Sequence, residues 1–95
     1  MTAYLVADLD IRDAEGIRAY AQEVPALIAR YGGRYLVRGG PLRLLEGDWK
    51  PRFLVVLEFP TMDALDRFYR SEEYRPYLEL RRRAAPSDVI AIEGA

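Results

Sequence analysis

The sequence contains no cysteine and no histidine. Without cysteine the chain has no disulfide bond, no thiolate nucleophile and no cysteine ligand for zinc. Without histidine it has no Ser-His-Asp triad, no histidine general base and no histidine ligand for haem. Any proton transfer by this chain therefore falls to Asp, Glu, Tyr, Lys or Arg. Since no acidic cluster has the spacing of a calcium-binding loop, we expect no metal and no cofactor.

A charge surplus and long apolar runs are also missing. Fourteen Lys and Arg residues against fifteen Asp and Glu residues give a net charge of -1, so no basic excess favours nucleic acid. No apolar run approaches the roughly 20 residues that cross a bilayer. The first ten residues, MTAYLVADLD, lack the positive region that begins a signal peptide. We therefore expect a cytoplasmic protein without a nucleic-acid or membrane partner.

What the sequence does hold is 95 residues, 51% of them hydrophobic and 31% charged. This length and balance predict one folded domain over residues 1–95. A domain of this size buries only about 60–65% of the surface of its unfolded chain. Association with a second copy is therefore a natural source of further burial.

Apolar patterning predicts four strands and two helical regions. The strands are AYLVADL, RYLVR, RFLVVLEF and DVIAIEG, at residues 3–9, 34–38, 52–59 and 88–94. Between the first two, an apolar stripe over residues 17–31 predicts a helix. Asp13 is its expected cap, Pro25 is expected to kink or split it, and Gly32 is expected to end it.

The second helical region follows the third strand. Thr61 is expected to cap a helix that runs to about Tyr69, and Ser71 to cap a further helical piece. A short hairpin arm is expected at residues 42–51, between the second and third strands. The order β-α-β-β-α-β is the ferredoxin-like α+β pattern. It predicts a four-stranded antiparallel sheet in the order 4-1-3-2, with the helices on one face only.

Side-chain parity along the first three strands separates two faces of this sheet. The odd positions, almost purely apolar, are Ala3, Leu5, Ala7, Leu9, Tyr35, Val37, Phe53, Val55, Leu57 and Phe59. The even positions, aliphatic with spaced charges, are Tyr4, Val6, Asp8, Arg34, Leu36, Arg38, Arg52, Leu54, Val56 and Glu58. The odd set suits the face beneath the helices. The even set is too aliphatic for a face left in water, so we expect it to pack on a second copy as a two-fold homodimer.

Four segments in this order resemble a bacterial family, domain of unknown function 1330. They are YGGRYLVRGG, LEGDWKPRFLVVLEFP, FYRSEEYRPYLELR and DVIAIEG, and the resemblance extends over essentially the whole chain. That family belongs to the dimeric α+β barrel superfamily. The resemblance implies a ferredoxin-like subunit and a homodimer whose two sheets form a barrel. It implies no reaction, because the superfamily includes cofactor-free oxygenases, an isomerase, haem enzymes and regulatory domains.

Antiparallel pairing predicts two charged clusters on the even face. Asp8, Arg38 and Arg52 are expected to meet at one rim. The residues expected at the opposite rim are Tyr4, Arg34 and Glu58. A carboxylate flanked by arginines in an apolar wall can orient an organic acid. The alternative is that these residues are ion pairs that fix the register of the dimer.

Tyrosines gather on and near the predicted helices. Tyr69 and Tyr74 are candidates to line a pocket for an aromatic ligand, although tyrosines at helical spacing are also typical of a packed core. The run at residues 81–83, three arginines, is interpreted as offsetting the helix macrodipole. The glycine pair at 39–40 is interpreted as a place where a ligand or a partner subunit approaches the backbone.

Two functional hypotheses follow from these features. The first is a small-molecule site for an acidic or aromatic compound, with or without cofactor-free chemistry. The second is a non-catalytic dimeric module with a structural or regulatory role. A pocket lined by Tyr and Arg favours the first hypothesis, and a fully packed interior favours the second.

Overall fold

The computed structural model describes all residues, 1–95, and contains four strands and three helices. In chain order they are β1 (Ala3–Leu9), α1 (Arg18–Arg30), β2 (Arg34–Arg38), β3 (Leu54–Phe59), α2 (Met62–Tyr69), α3 (Arg75–Ala84) and β4 (Ser87–Glu93). The strands form one antiparallel sheet in the order β2-β3-β1-β4. Read from the other edge this is 4-1-3-2, so the predicted ferredoxin-like arrangement is confirmed. None of the helices has the length and apolar character needed to cross a bilayer.

The parity predicted for β1 and β3 is confirmed. Along β1 every second side chain is buried, and the same alternation holds on β3. These inner-face residues join the helices in one core. Its largest fully buried side chains are Phe59, Phe68, Ile28 and Val24.

The parity predicted for β2 is wrong beyond its second residue. Tyr35 pairs with Leu57, but Val37 pairs with Val56 and Arg38 with Val55, which marks a one-residue irregularity between Tyr35 and Val37. A β-bulge inserts an extra residue and so reverses which face the following side chains point to. Val37, expected beneath the helices, therefore shares the outer face of the sheet. Arg38, expected on the outer face, shares the inner face with Val55.

The helix boundaries follow local chemistry. Thr61 caps α2 as predicted, its hydroxyl oxygen accepting from the Ala64 amide at 3.0 Å. Asp13 does not cap α1. Its carboxylate accepts from the Gly16 amide at 2.9 Å and holds a turn before the helix, whose own N-cap residue makes no side-chain bond. Pro25 lies inside α1 without splitting it.

The segment between β2 and β3 is not the expected hairpin arm, because residues 39–53 contain no strand. Pro41 and Pro51 each lack the N–H donor that strand pairing requires. An isolated two-stranded hairpin is also marginal in water unless another surface covers it. The arm instead runs as irregular chain that exposes Leu42, Leu44 and Leu45.

Candidate ligand-binding cavity

A cavity of about 110 Å³ lies between the inner face of the sheet and the helices. Eighteen residues line it, and sixteen of them are hydrophobic or aromatic. β1 and β3 form its floor, and the three helices contribute its walls. Two small side chains leave this space open, since Ala7 stands on the floor and Ala21 on α1.

Two tyrosines, Tyr20 and Tyr74, contribute hydroxyl groups to the otherwise apolar lining of the cavity. The Tyr20 and Tyr74 oxygens lie 2.6 Å apart in a direct hydrogen bond, and their rings meet edge to face at 6.1 Å. Burial, with the neighbouring Tyr74 adding to it, raises the pKa of Tyr20 far above its usual range. Burial also raises the pKa of Tyr74, although the Tyr20 hydrogen bond and the nearby Arg81 charge lower it in part. Both hydroxyls are therefore neutral at pH 7, and one of them donates the hydrogen bond that the other accepts.

Tyr69 and Tyr74, the two tyrosines singled out in the sequence, both line the cavity. Their ring centroids are 5.7 Å apart, and Tyr74 also packs on Phe68 at 4.4 Å. Tyr74 therefore belongs both to the core and to the cavity lining.

Arg38 lines the cavity from its exposed side. Its guanidinium Nη2 donates to the Ala21 carbonyl at 3.1 Å, and the same group lies over the Tyr35 ring at 4.8 Å. The Ala21 carbonyl can accept this bond because Pro25, four residues later in α1, has no N–H to donate to it. The bulge in β2 and Pro25 in α1 together bring this arginine to the cavity.

Arg81 is the functional candidate that sequence reasoning missed. Its side chain is only 4% exposed and lines the cavity. It takes part in none of the six ion pairs of the chain, and no Asp or Glu lines the cavity. The missed signal is helical spacing, because Tyr74, Leu78, Arg81 and Ala85 follow intervals of four, three and four. That stripe places Arg81 on the face of α3 that packs against the core.

The first predicted charged cluster does not form as expected. The Asp8 carboxylate accepts from the Arg52 backbone amide at 2.9 Å and from the Trp49 indole at 3.2 Å. The Arg52 guanidinium reaches Asp10 instead, at 2.8 Å. Arg38 is absent from this group because the bulge carries it to the other face. Asp8 therefore anchors the arm between β2 and β3.

The second predicted cluster does come together, on the outer face of the sheet. Arg34 donates from Nε to the Glu58 carboxylate at 2.8 Å, and Tyr4 is paired with Glu58 across β1 and β3. The Arg34 side chain is 70% exposed, so this pair contributes little stability in the isolated subunit. Neither cluster lies at the cavity. No group of three or more Asp and Glu side chains is arranged to hold a metal ion.

The outer face of the sheet carries a continuous apolar surface, which we call the outer apolar face. Its members are Val6, Val37, Leu54, Val56, Ile90 and Ile92. Ile90 and Ile92, on the edge strand β4, are 59% and 53% exposed. No helix covers these side chains.

Comparisons with known proteins agree with this architecture. The family model described as "Domain of unknown function (DUF1330)" matches residues 2–95. No curated protein matches the chain. RPA0582 from Rhodopseudomonas palustris, a protein of unknown function, is 22% identical with a TM-score of 0.74, over 99% of this chain and 82% of that one.

Two further solved structures share the fold. SnoaB, a cofactor-independent oxygenase from Streptomyces nogalater, is 17% identical with a TM-score of 0.68, over 99% of this chain and 93% of SnoaB. A dimeric ferredoxin-like protein of unknown function from Jannaschia sp. CCS1 is 17% identical with a TM-score of 0.63, over 99% of this chain and 100% of that one. Similarity at this level establishes a common fold.

Proposed function

The chain belongs to the DUF1330 family, and from the geometry of its cavity we propose that it binds a small aromatic molecule between the helices and the sheet. The observation that carries the proposal is a cavity of about 110 Å³ with sixteen hydrophobic or aromatic residues among eighteen. Concave, mostly apolar sites with a few convergent polar groups are typical of small-molecule binding. Here the convergent polar groups are Tyr20, Tyr74, Arg38 and Arg81.

The volume favours a ligand of one ring. An apolar protein cavity of about 150 Å³ holds benzene, and sites for drug-sized molecules start near 300 Å³. A cavity of about 110 Å³ therefore suits a monocyclic compound better than a fused polycycle. Edge and face contacts with Phe68, Tyr69 and Tyr74 favour an aromatic ring over an aliphatic one.

The cavity supports the small-molecule hypothesis over the purely structural module. A module of that kind needs only a packed interior, whereas this interior leaves space beside tyrosine and arginine side chains. Binding is the part of the function that the lining residues support. SnoaB, a cofactor-independent oxygenase, shares its fold with this chain, and a shared fold does not by itself imply a shared activity. No Asp or Glu lines the cavity to act as a general base.

Binding of a neutral aromatic probe tests the proposal. We expect fluorobenzene to bind the wild-type protein in ¹⁹F NMR titrations, with a dissociation constant in the millimolar range or below. Ala7→Leu places three more carbons in the cavity and should weaken binding at least tenfold. Ala26→Leu is the matched control, because Ala26 lies on the exposed side of α1 away from the cavity.

Melting temperature and circular dichroism of both variants show whether each one folds. Folded wild-type protein that fails to bind fluorobenzene or any other single-ring probe would overturn the proposal. Equal loss of binding in both variants would show that the probe occupies another place.

We further propose that the subunit works as a two-fold homodimer through the outer apolar face. Exposed aliphatic side chains on a sheet face are rarely left in water. The Arg34–Glu58 pair at one rim carries charges of both signs. In a two-fold dimer, the positive group of one subunit can therefore face the negative group of the other. The dimeric state of the Jannaschia protein supports the same arrangement.

A single charge on the outer apolar face tests the dimer. Sedimentation velocity at micromolar concentration should show a dimer for the wild-type protein. Val56→Arg buries an unpaired charge at the centre of the interface and should weaken the dimer at least a hundredfold, about 2.7 kcal/mol. Ala26→Arg adds the same charge on the helix side and should leave the dimer intact. A wild-type monomer under these conditions would contradict the proposal.

A further inference from the structure

The charge inside the cavity is positive and has no acidic counterpart. Arg81 is 4% exposed, and Arg38 lines the same space. Neither side chain belongs to any of the six ion pairs. The eleven side chains that form those six pairs all lie outside the cavity lining, which contains no Asp or Glu.

A buried guanidinium without a carboxylate is unfavourable by itself. Arginine stays protonated in proteins, so it cannot relieve burial by losing its charge. Buried charges are therefore normally paired with an opposite charge. The helix macrodipole of α3 does not require this burial, because Arg82 and Arg83 stand in the same last turn and are exposed.

We infer that the bound ligand carries a carboxylate and that Arg81 is the residue that recognises it. This inference rests on the proposed aromatic-binding function and specifies its substrate class as single-ring aromatic acids. A guanidinium binds a carboxylate through two parallel N–H···O bonds, while the apolar walls hold the ring. Arg38, on the exposed side of the cavity, attracts the anion towards the opening.

The Tyr20–Tyr74 hydroxyl pair fits the same ligand. One hydroxyl hydrogen is used in the 2.6 Å bond between the two oxygens, and the other remains for a further acceptor. Arg81 lines the same cavity as this pair, and its charge partly lowers the pKa of Tyr74. The guanidinium and the remaining hydroxyl therefore supply donors to one carboxylate.

Benzoate and benzamide separate charge from shape, because they have nearly the same size and planarity. Isothermal titration calorimetry at pH 7 should show that wild-type protein binds benzoate at least tenfold more tightly than benzamide. Arg81→Met replaces the guanidinium with an uncharged chain of similar length. We expect it to remove the preference by weakening benzoate binding at least tenfold while benzamide binding stays within threefold of wild type.

Two controls keep the result specific. Arg82→Met removes an exposed arginine from the neighbouring position and should bind both probes as wild type does. Without ligand, Arg81→Met should melt at the same or a higher temperature than wild type, since it relieves an unpaired buried charge. A guanidinium that only stabilises the fold would instead lower the melting temperature when removed.

The outcomes distinguish this inference from the proposed function. Fluorobenzene and benzamide binding without a preference for benzoate would overturn the carboxylate inference and leave aromatic binding in place. Failure of all three probes would overturn both. A preference that survives Arg81→Met but disappears in Arg38→Met would overturn the assignment to Arg81.

Discussion

Phe68→Ala is expected to lower the free energy of unfolding by about 3–5 kcal/mol, the range found when a buried Phe is truncated. Phe68 is 1% exposed and stands at the centre of an aromatic cluster. Its ring lies 5.6 Å from Phe59, 4.4 Å from Tyr74 and 6.1 Å from Tyr31. Truncation removes all three ring contacts and leaves a hole beside the existing cavity. Urea unfolding at one fixed protein concentration measures the loss, because the proposed dimer would make stability depend on concentration.

Trp49→Ala is the matched control for this truncation. It also removes a large aromatic side chain, but Trp49 lies on the arm between β2 and β3 and is 61% exposed. Its one polar contact is the indole bond to Asp8, so we expect a loss of at most about 1 kcal/mol. Equal losses for the two variants would contradict the central place of Phe68 in the core.

Gly39→Ala is expected to lower the free energy of unfolding by about 2–5 kcal/mol. Gly39 has a φ of +66°, a conformation that costs about 1–2 kcal/mol for a residue with a Cβ. A Cβ at this position would also meet the Phe53 ring at 2.3 Å, and forced overpacking typically adds about 1–3 kcal/mol. A close approach to Gly39 is therefore made by Phe53 of the same chain.

Gly40→Ala makes the same change one residue later and provides the control. A Cβ there would have nothing within 4 Å, so we expect a change within about 0.5 kcal/mol. Because Phe53 also lines the cavity, Gly39→Ala should weaken fluorobenzene binding as well as stability. Two variants of equal stability would show that the second glycine pair serves only as a flexible strand end.

Much of the fold could be predicted because strand periodicity reports on burial. On β1 and β3 one face meets the helices, so apolar residues at every second position identify that face without further information. Thr61 and Gly32 could also be assigned, because capping and a left-handed helix end depend on a few neighbouring residues; Gly32 has a φ of +83°. The family resemblance is confirmed by the match over residues 2–95.

The bulge in β2 could not be predicted in the same way. RYLVR reads as five regular strand residues, and nothing within them marks Leu36 as the extra residue. The reversal depends on pairing with β3, which is a tertiary property. Its consequence was large, because it moved Arg38 from the expected cluster with Asp8 to the cavity.

Arg81 was missed because a charged run at a helix end already has a sufficient local explanation. Three consecutive arginines point in three directions around a helix, about 100° apart. Only packing against the sheet decides which of them is buried. The tyrosines were easier to place, since aromatic residues near helices belong either to the core or to a pocket, and Tyr74 belongs to both.

The central claim is that a buried guanidinium without an acidic partner faces a cavity sized for one aromatic ring. A crystal structure of the wild-type protein grown with benzoate tests it most directly. The account predicts a planar ring between the sheet and the helices, with carboxylate oxygens about 2.7–2.9 Å from the Arg81 guanidinium. A cavity closed by side chains, or an Arg81 side chain turned into bulk solvent, would contradict it.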